Sequence, residues 1–230
     1  MADNADRSAH QDQIVESSLR SLWEVVNQLA KLRPPASDEF RVTIFGSARI
    51  KPGDAAYAQV RDLAKVLSAR GCSIVTGGGP GLMQAANEGA QLGDPKNERA
   101  SIGIRVELPF EKDANPFVEQ AYTHQTFFTR LHHFARLSNA FVVVDGGIGT
   151  ALESLMVWQL LQVKHLDVPL VFVGPMWKDL VGWAKQHMLG KPTPLASEKD
   201  LDLPVCVEDG AQALQVIEKA MAEFRQRKAG

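Results

Sequence analysis

From residue 40 onward the chain alternates short apolar runs with stretches in which apolar residues recur three or four positions apart. Arg41–Phe45, Ser73–Thr76, Ser101–Val106, Phe141–Val144, Pro169–Val173 and Pro204–Val207 are too short for helices, are rich in Val, Ile and Phe, and read as strands. Between them, helical spacing predicts helices over about Asp54–Arg70, Leu82–Leu92, Thr126–Leu137, Thr150–Lys164, Trp177–Met188 and Gly210–Arg227. Strands that are apolar on both faces and alternate with helices indicate an α/β fold: a Rossmann-like parallel sheet with helices on both faces. The expected domain layout is a helical extension over residues 1–38 and one domain over 39–230. Within the extension, residues 1–12 are a polar tail and Ile14–Leu32 carries an amphipathic helical pattern stopped by Pro34-Pro35. Its apolar face is to be buried either on the same subunit or on a partner.

Three of the predicted strands run into glycine-bearing turns: Gly46-Ser47-Ala48-Arg49, Gly77-Gly78-Gly79-Pro80-Gly81 and Asp145-Gly146-Gly147-Ile148-Gly149-Thr150. In a parallel sheet all three fall on the edge formed by the carboxyl ends of the strands, where ligands bind near the point at which strand order reverses. A strand, a glycine turn and a helix beginning near Thr150 put the N–H groups of Gly146, Gly147, Gly149 and Thr150 at a positive helix end, a natural seat for phosphate. Glu153, three residues beyond Thr150, can face whatever the phosphate is attached to. A glycine cluster taken alone often makes only a tight turn. Neither cluster spells the dinucleotide fingerprint G-x-G-x-x-G, and no G-x-x-x-x-G-K-S/T motif occurs, so nicotinamide and nucleoside triphosphate chemistry are disfavoured.

The charge pattern narrows the ligand class further. Twenty-five basic and 27 acidic residues give a net charge of −2 in an unbiased mixture. That balance leaves neither a nucleic-acid nor a membrane-surface footprint, and small molecules are the better partners. Cys72 and Cys206 lie in apolar strand-like runs, the first 13 residues lack the core of a signal peptide, and no apolar run approaches the ~20 residues of a membrane-spanning helix. A cytoplasmic, thiol-containing protein is expected. His124, His132 and His133 are close in sequence, but the last two are adjacent and point different ways on a helix, which argues against a metal site. Phe127, Phe128 and Phe134 recur at helical spacing and suit a core or a dimer interface, and Trp158 suits packing.

Gly-Gly-Gly-Pro-Gly-Leu-Met at 77–83, Arg130 in the helix before the fourth predicted strand, and Gly-Gly-Ile-Gly-Thr-Ala-Leu-Glu at 146–153 together resemble the Lonely Guy (LOG) family, often labelled "lysine decarboxylase". The resemblance covers about residues 40–190. It implies a Rossmann-like homodimer, or a higher homo-oligomer, that acts as a phosphoribohydrolase on nucleoside 5'-monophosphates such as AMP or cytokinin ribotides. The N-glycosidic bond of a purine or N6-modified purine nucleotide is cleaved to free base and ribose 5-phosphate, without cofactor or metal. On this resemblance Arg130 and Glu153 match the catalytic pair, and Gly146, Gly147, Gly149 and Thr150 match the phosphate-binding turn. Gly46, Ser47, Gly78, Gly79 and Gly81 are further candidates for substrate binding. Arg49 either reaches the same phosphate or faces solvent; Glu111 and, more weakly, Glu107 are loop carboxylates that could hold ribose or base.

Two positions depart from the family pattern P-G-G-x-G-T-x-x-E with its preceding R-K pair. Asp145 stands in place of proline and Leu131 in place of lysine. A carboxylate beside a phosphate turn weakens anion binding, and the lost ammonium removes a compensating charge. A strand-end carboxylate can also accept hydrogen bonds from ribose hydroxyls. These departures leave a second class of function open, a nucleotide-binding sensor or carrier without turnover. Single-stranded DNA binding lacks a basic aromatic groove, and lysine decarboxylation lacks a recognisable pyridoxal-phosphate lysine site.

Overall fold

Alternation inside the strands explains how one sheet supports two cores. In the computed structural model, which describes residues 13–22, 24, 38–107 and 113–229, the first strand, β1 (Phe40–Phe45), sends Phe40, Val42 and Ile44 to one face and Phe45 to the other. The chain divides into two compact units, residues 1–37 and 38–230. Of the first, residues 13–22 are helical, with a Glu16–Arg20 pair one turn apart; the rest of the expected Ile14–Leu32 helix, apart from residue 24, lies outside the described residues.

In the second unit β1 is followed by α1 (Ala55–Ala69), β2 (Cys72–Thr76), α2 (Leu82–Gly93), β3 (Ser101–Val106), β4 (Gln120–His124), α3 (Phe127–Leu137), β5 (Ala140–Val143), α4 (Ile148–Gln162), β6 (Leu170–Val173), α5 (Pro175–Ala184), a π-helical turn (Lys185–Leu189), α6 (Glu198–Leu201), β7 (Pro204–Val207) and α7 (Gly210–Ala229). The strands form one sheet in the order β4-β3-β2-β1-β5-β6-β7, and each pairing is parallel. From β1 the chain winds outward to β4, then returns to β5 on the other side of β1. The switch point is therefore the crevice between β1 and β5.

One core joins Val42, Ile44 and Ile74 to α1, α2 and α7; the other joins Phe45, Ile104, Phe141 and Val143 to α3, α4 and α5. Phe134 of α3 is fully buried and meets Phe45 edge-on, with ring centroids 5.0 Å apart. Such a ring, removed to alanine, costs about 3–5 kcal/mol. No helix among the described residues is long and apolar enough to cross a membrane.

Two elements differ from the sequence expectation. β4 is an additional strand, so the strand that follows Arg130 is the fifth and not the fourth. Its residues Gln120–Thr123 are exposed, because it is an edge strand paired only with β3, and a polar edge carries no apolar alternation to detect. The four-residue α6 falls in the stretch 195–203, to which the periodicity assigns no element; it is set by a capping box in which Ser197 and Asp200 bond each other's backbone N–H.

Candidate functional site

The three glycine turns lie together at the carboxyl edge of the sheet and are tied by backbone bonds. Ser47 N–H donates to the Asp145 carbonyl (2.9 Å), and Leu82 N–H donates to the Ser47 carbonyl (2.8 Å). A Cβ on Gly46 would stand 2.7 Å from Val144 Cγ2. Gly46 and Ser47 therefore form the half-buried crest between the other two turns, whereas Arg49 is exposed.

The turn after β2 is closely packed. Gly77, Gly78, Gly79 and Gly81 are buried. A Cβ on Gly77 would collide with the Arg130 guanidinium, on Gly78 with the stem of Arg105 at 2.9 Å, and on Gly81 with the Ser47 carbonyl. Gly78 and Gly81 also adopt φ of +72° and +71°, where only glycine is unstrained. Beneath them lies a buried polar network that the sequence reading missed. Thr76 Oγ1 donates to Asn87 Oδ1 (2.7 Å) and accepts from Gly78 N–H (2.9 Å), while Asn87 Nδ2 donates to Ser101 Oγ (2.9 Å). Asn115 Nδ2 donates to the Gly79 carbonyl and to Asn87 Oδ1, both at 3.0 Å. Each buried polar atom in this set has a partner, which makes the network stiffening rather than costly. The available signal was an asparagine set among the small residues Ala85, Ala86, Gly89 and Ala90 on a buried helix face.

The turn after β5 is open. A Cβ on Gly147 or Gly149 would meet nothing within 4 Å, although one on Gly146 would run into the side chain of Thr150, which is buried against it. Gly147 is the N-cap of α4, and no side chain caps this helix. The N–H groups of its first turn thus face a space that an anion can enter.

Glu153 and Arg130 meet behind this turn. Thr126 caps α3 by accepting from Thr129 N–H (3.2 Å), which sets the first turn that carries Arg130. Arg130 Nε donates to the Ile104 carbonyl (2.9 Å), Nη2 lies 3.2 Å from Glu153 Oε1, and the guanidinium stands 5.4 Å from the centroid of the Phe134 ring. The Arg130 and Glu153 side chains are only 13% and 12% exposed. This is a buried pair and not a surface ion pair. Burial raises the Glu153 carboxyl to about 7, against the opposing pull of Arg130.

Asp145 leans away from the turn it precedes. Its Oδ1 would stand 3.7 Å from a Cβ on Gly174, and its side chain lines a cavity of about 180 Å³ with Val173, Gly174, Pro175 and Glu208. Gly174 is the N-cap of α5, so the carboxylate approaches a second positive helix end. Glu107 is exposed, and Glu111 lies outside the described residues.

A half-buried histidine pair borders Arg130. His124 Nε2 and His133 Nδ1 are 3.0 Å apart, and the Tyr122 ring meets His133 edge-on at 4.8 Å. Burial, then Arg130, lowers His124; burial, then His124, His132 and Arg136, lower His133. Among the described residues no group of three or more His, Cys, Asp or Glu could hold a metal ion.

Comparison with known proteins places these features in a wider set. A family model described as "Possible lysine decarboxylase" matches residues 83–217, more than half of the chain. The pyrimidine/purine nucleotide 5'-monophosphate nucleosidase of Escherichia coli (strain K12) is 28% identical over 179 residues, which is 75% of this chain and 37% of that protein. The chain thus spans little more than a third of the length of the curated relatives it matches. Among solved structures, the molybdenum cofactor carrier protein from Chlamydomonas reinhardtii gives a TM-score of 0.59 at 21% identity, over 80% of this chain and 99% of that one. The molybdenum cofactor binding protein from Rippkaea orientalis gives 0.60 at 15% identity, over 81% and 99%. These two likenesses concern the fold alone.

Proposed function

Since the chain belongs to the family described as possible lysine decarboxylases, the Lonely Guy family, we propose that it is a nucleoside 5'-monophosphate phosphoribohydrolase. It cleaves the N-glycosidic bond of a purine or N6-modified purine nucleotide to free base and ribose 5-phosphate. The observation that carries the reading is the buried Arg130–Glu153 pair set behind the uncapped N-terminus of α4. The 5'-phosphate binds the first-turn N–H groups from Gly147 to Thr150, where the helix dipole favours an anion.

In the reaction the C1'–N bond breaks with its electron pair leaving on the base, and water supplies the new C1'–O bond and the proton that the base acquires. Ionised Glu153 stabilises the positive charge that develops on the ribose and orients the water. Arg130, fixed by the Ile104 carbonyl and the Phe134 ring, holds Glu153 in place and presents its remaining donors to the substrate. This chemistry calls for no redox cofactor. The lean of Asp145 toward Gly174 supports phosphate binding in a turn that has lost the family's proline.

The active form is proposed to be a cytoplasmic homodimer or higher homo-oligomer, with residues 39–230 as the catalytic domain. Ile148 is 89% exposed, and Leu152, Leu155 and Phe127 are exposed on the same pair of helices, an apolar face that suits a second copy. A second reading, a nucleotide carrier without turnover, is favoured by Leu131 where the family has lysine. The nucleosidase relative's name brings pyrimidine nucleotides into the test panel. Release of free base from AMP, IMP, GMP, CMP or UMP supports the hydrolase; stoichiometric binding of AMP without release supports the carrier.

A further inference from the structure

The order of the strands acts as a ruler across the site. The phosphate turn follows β5, while Arg130 hangs from the Ile104 carbonyl on β3 and presses on Gly77 at the end of β2. A nucleotide laid from the α4 N-terminus over Arg130 and Glu153 therefore runs across the strand ends in the direction β5, β1, β2, β3, and the base is the part carried farthest. The next strand on that line is β4, roughly 19 Å from β5 at the usual spacing of parallel strands, less the length of a side chain reaching back. What stands there is His124, the last residue of β4, paired with Val106 and two positions nearer the carboxyl edge than the Ile104–Tyr122 pair. Paired residues of a parallel sheet share a face, so His124 lies on the same face as Ile104, toward α3 and Arg130.

We infer that His124, held by His133, reads the hydrogen-bonding edge of the base; this rests on the phosphoribohydrolase reading. The backbone of His124 is fixed by Glu107 N–H, which donates to its carbonyl at 2.8 Å, and its ring by the 3.0 Å bond to His133. His133 is in turn steadied by the edge-on Tyr122 ring. Among the described residues, Nδ1 of His124 has no hydrogen-bond partner. One bond joins the two imidazoles, so a neutral pair offers one outward N–H and one outward lone pair. Which ring carries which depends on the tautomers. His124 can thus accept from an exocyclic amino group or, in the other tautomer, donate to a ring carbonyl. That chemistry serves 6-amino and 6-oxo purines alike and leaves a base with no 6-substituent unrecognised.

The test compares ligands that differ only at that edge. Dissociation constants for AMP, IMP and purine riboside 5'-monophosphate are measured by calorimetry on full-length protein carrying Glu153→Gln, so that turnover is slowed. AMP and IMP are expected to bind about three- to tenfold more tightly than the unsubstituted nucleotide, the range of one neutral hydrogen bond. Adding His124→Phe brings all three within about twofold of one another, and His133→Phe reduces the preference in part. His124→Gln, which keeps a donor and an acceptor, restores part of it and stands in should the phenylalanine variant not fold. An unchanged preference in folded His124 variants, or equal binding of the three nucleotides to the parent, overturns the assignment. Base release by wild-type protein is scored separately, so a failed hydrolase reading with an intact preference is distinguishable from a failed role for His124. If no nucleotide binds, both fall.

Discussion

The two glycine turns that flank the crest at Ser47 look alike in sequence and do opposite things. In the turn after β2 each glycine tested by an added Cβ meets a neighbour at close range, and the turn sits on the Thr76–Asn87–Asn115–Ser101 network. Its glycines let other parts of the protein approach, and the result is a rigid wall against which Arg130 is pressed. In the turn after β5, Gly147 and Gly149 are surrounded by open space, and the helix they introduce has no side-chain cap. Those glycines border space that no described part of the chain fills. Glycine-rich sequence therefore carries two meanings, and only packing separates scaffold from ligand seat.

Substituting the wall should damage the fold most. Gly81→Ala places a side chain at φ +71° and against the Ser47 carbonyl. The strain and clash together are expected to cost about 4 kcal/mol, or about 10 °C in Tm for a unit of this size; thermal unfolding that leaves Tm unmoved breaks the comparison.

The buried pair behind the open turn should show itself through pH. A carboxyl raised on folding from 4.5 to about 7 holds its proton more tightly in the native state. Its contribution to stability is fullest below about 4.5 and is lost as pH rises through about 7. The loss amounts to about 3 kcal/mol by the free energy of such a shift, and Glu153→Gln should remove that slope from urea unfolding measured between pH 4.5 and 8. Base release should move the other way and rise through about pH 7 as the carboxylate forms.

Asn87→Ala, which leaves Thr76, Ser101 and Asn115 each short of a partner, is expected to cost about 2 kcal/mol and to loosen the wall without touching the open turn. Hydrogen exchange that speeds at residues 77–81 and not at 146–150 sharpens the contrast. Gly149→Ala should change stability least, by under about 1 kcal/mol, because its Cβ meets nothing. AMP binding should nonetheless weaken as the methyl narrows the seat, and a stability loss as large as that of Gly81→Ala would contradict the distinction.

Much of this architecture was legible in the sequence because buried strands and amphipathic helices leave a period. Each of the six apolar runs read as strands became a strand, and their parallel order follows from the helices between them. β4 left no period, because its outer edge and most of its side chains face solvent. The positions of Arg130 and Glu153 could be marked, but not their burial. That arises from Ile104 and Gly77, which are distant from Arg130 in the chain and converge on it only in the fold. The lean of Asp145 toward Gly174 was equally invisible, since it depends on where β6 ends beside β5. Asn87 looked like one more polar helix residue until the sheet and the 115–117 segment closed around it.

The central claim is that the open turn and the buried Arg130–Glu153 pair form one hydrolytic site. It is tested most directly by incubating the purified protein with the panel of nucleoside 5'-monophosphates and quantifying free base and ribose 5-phosphate together. The account predicts equimolar appearance of both products from at least one nucleotide, slowed about 10²- to 10⁴-fold in Glu153→Gln, the range for loss of a group acting at the reacting atoms. Nucleotide recovered intact, with AMP bound in calorimetry, would contradict it and leave a carrier.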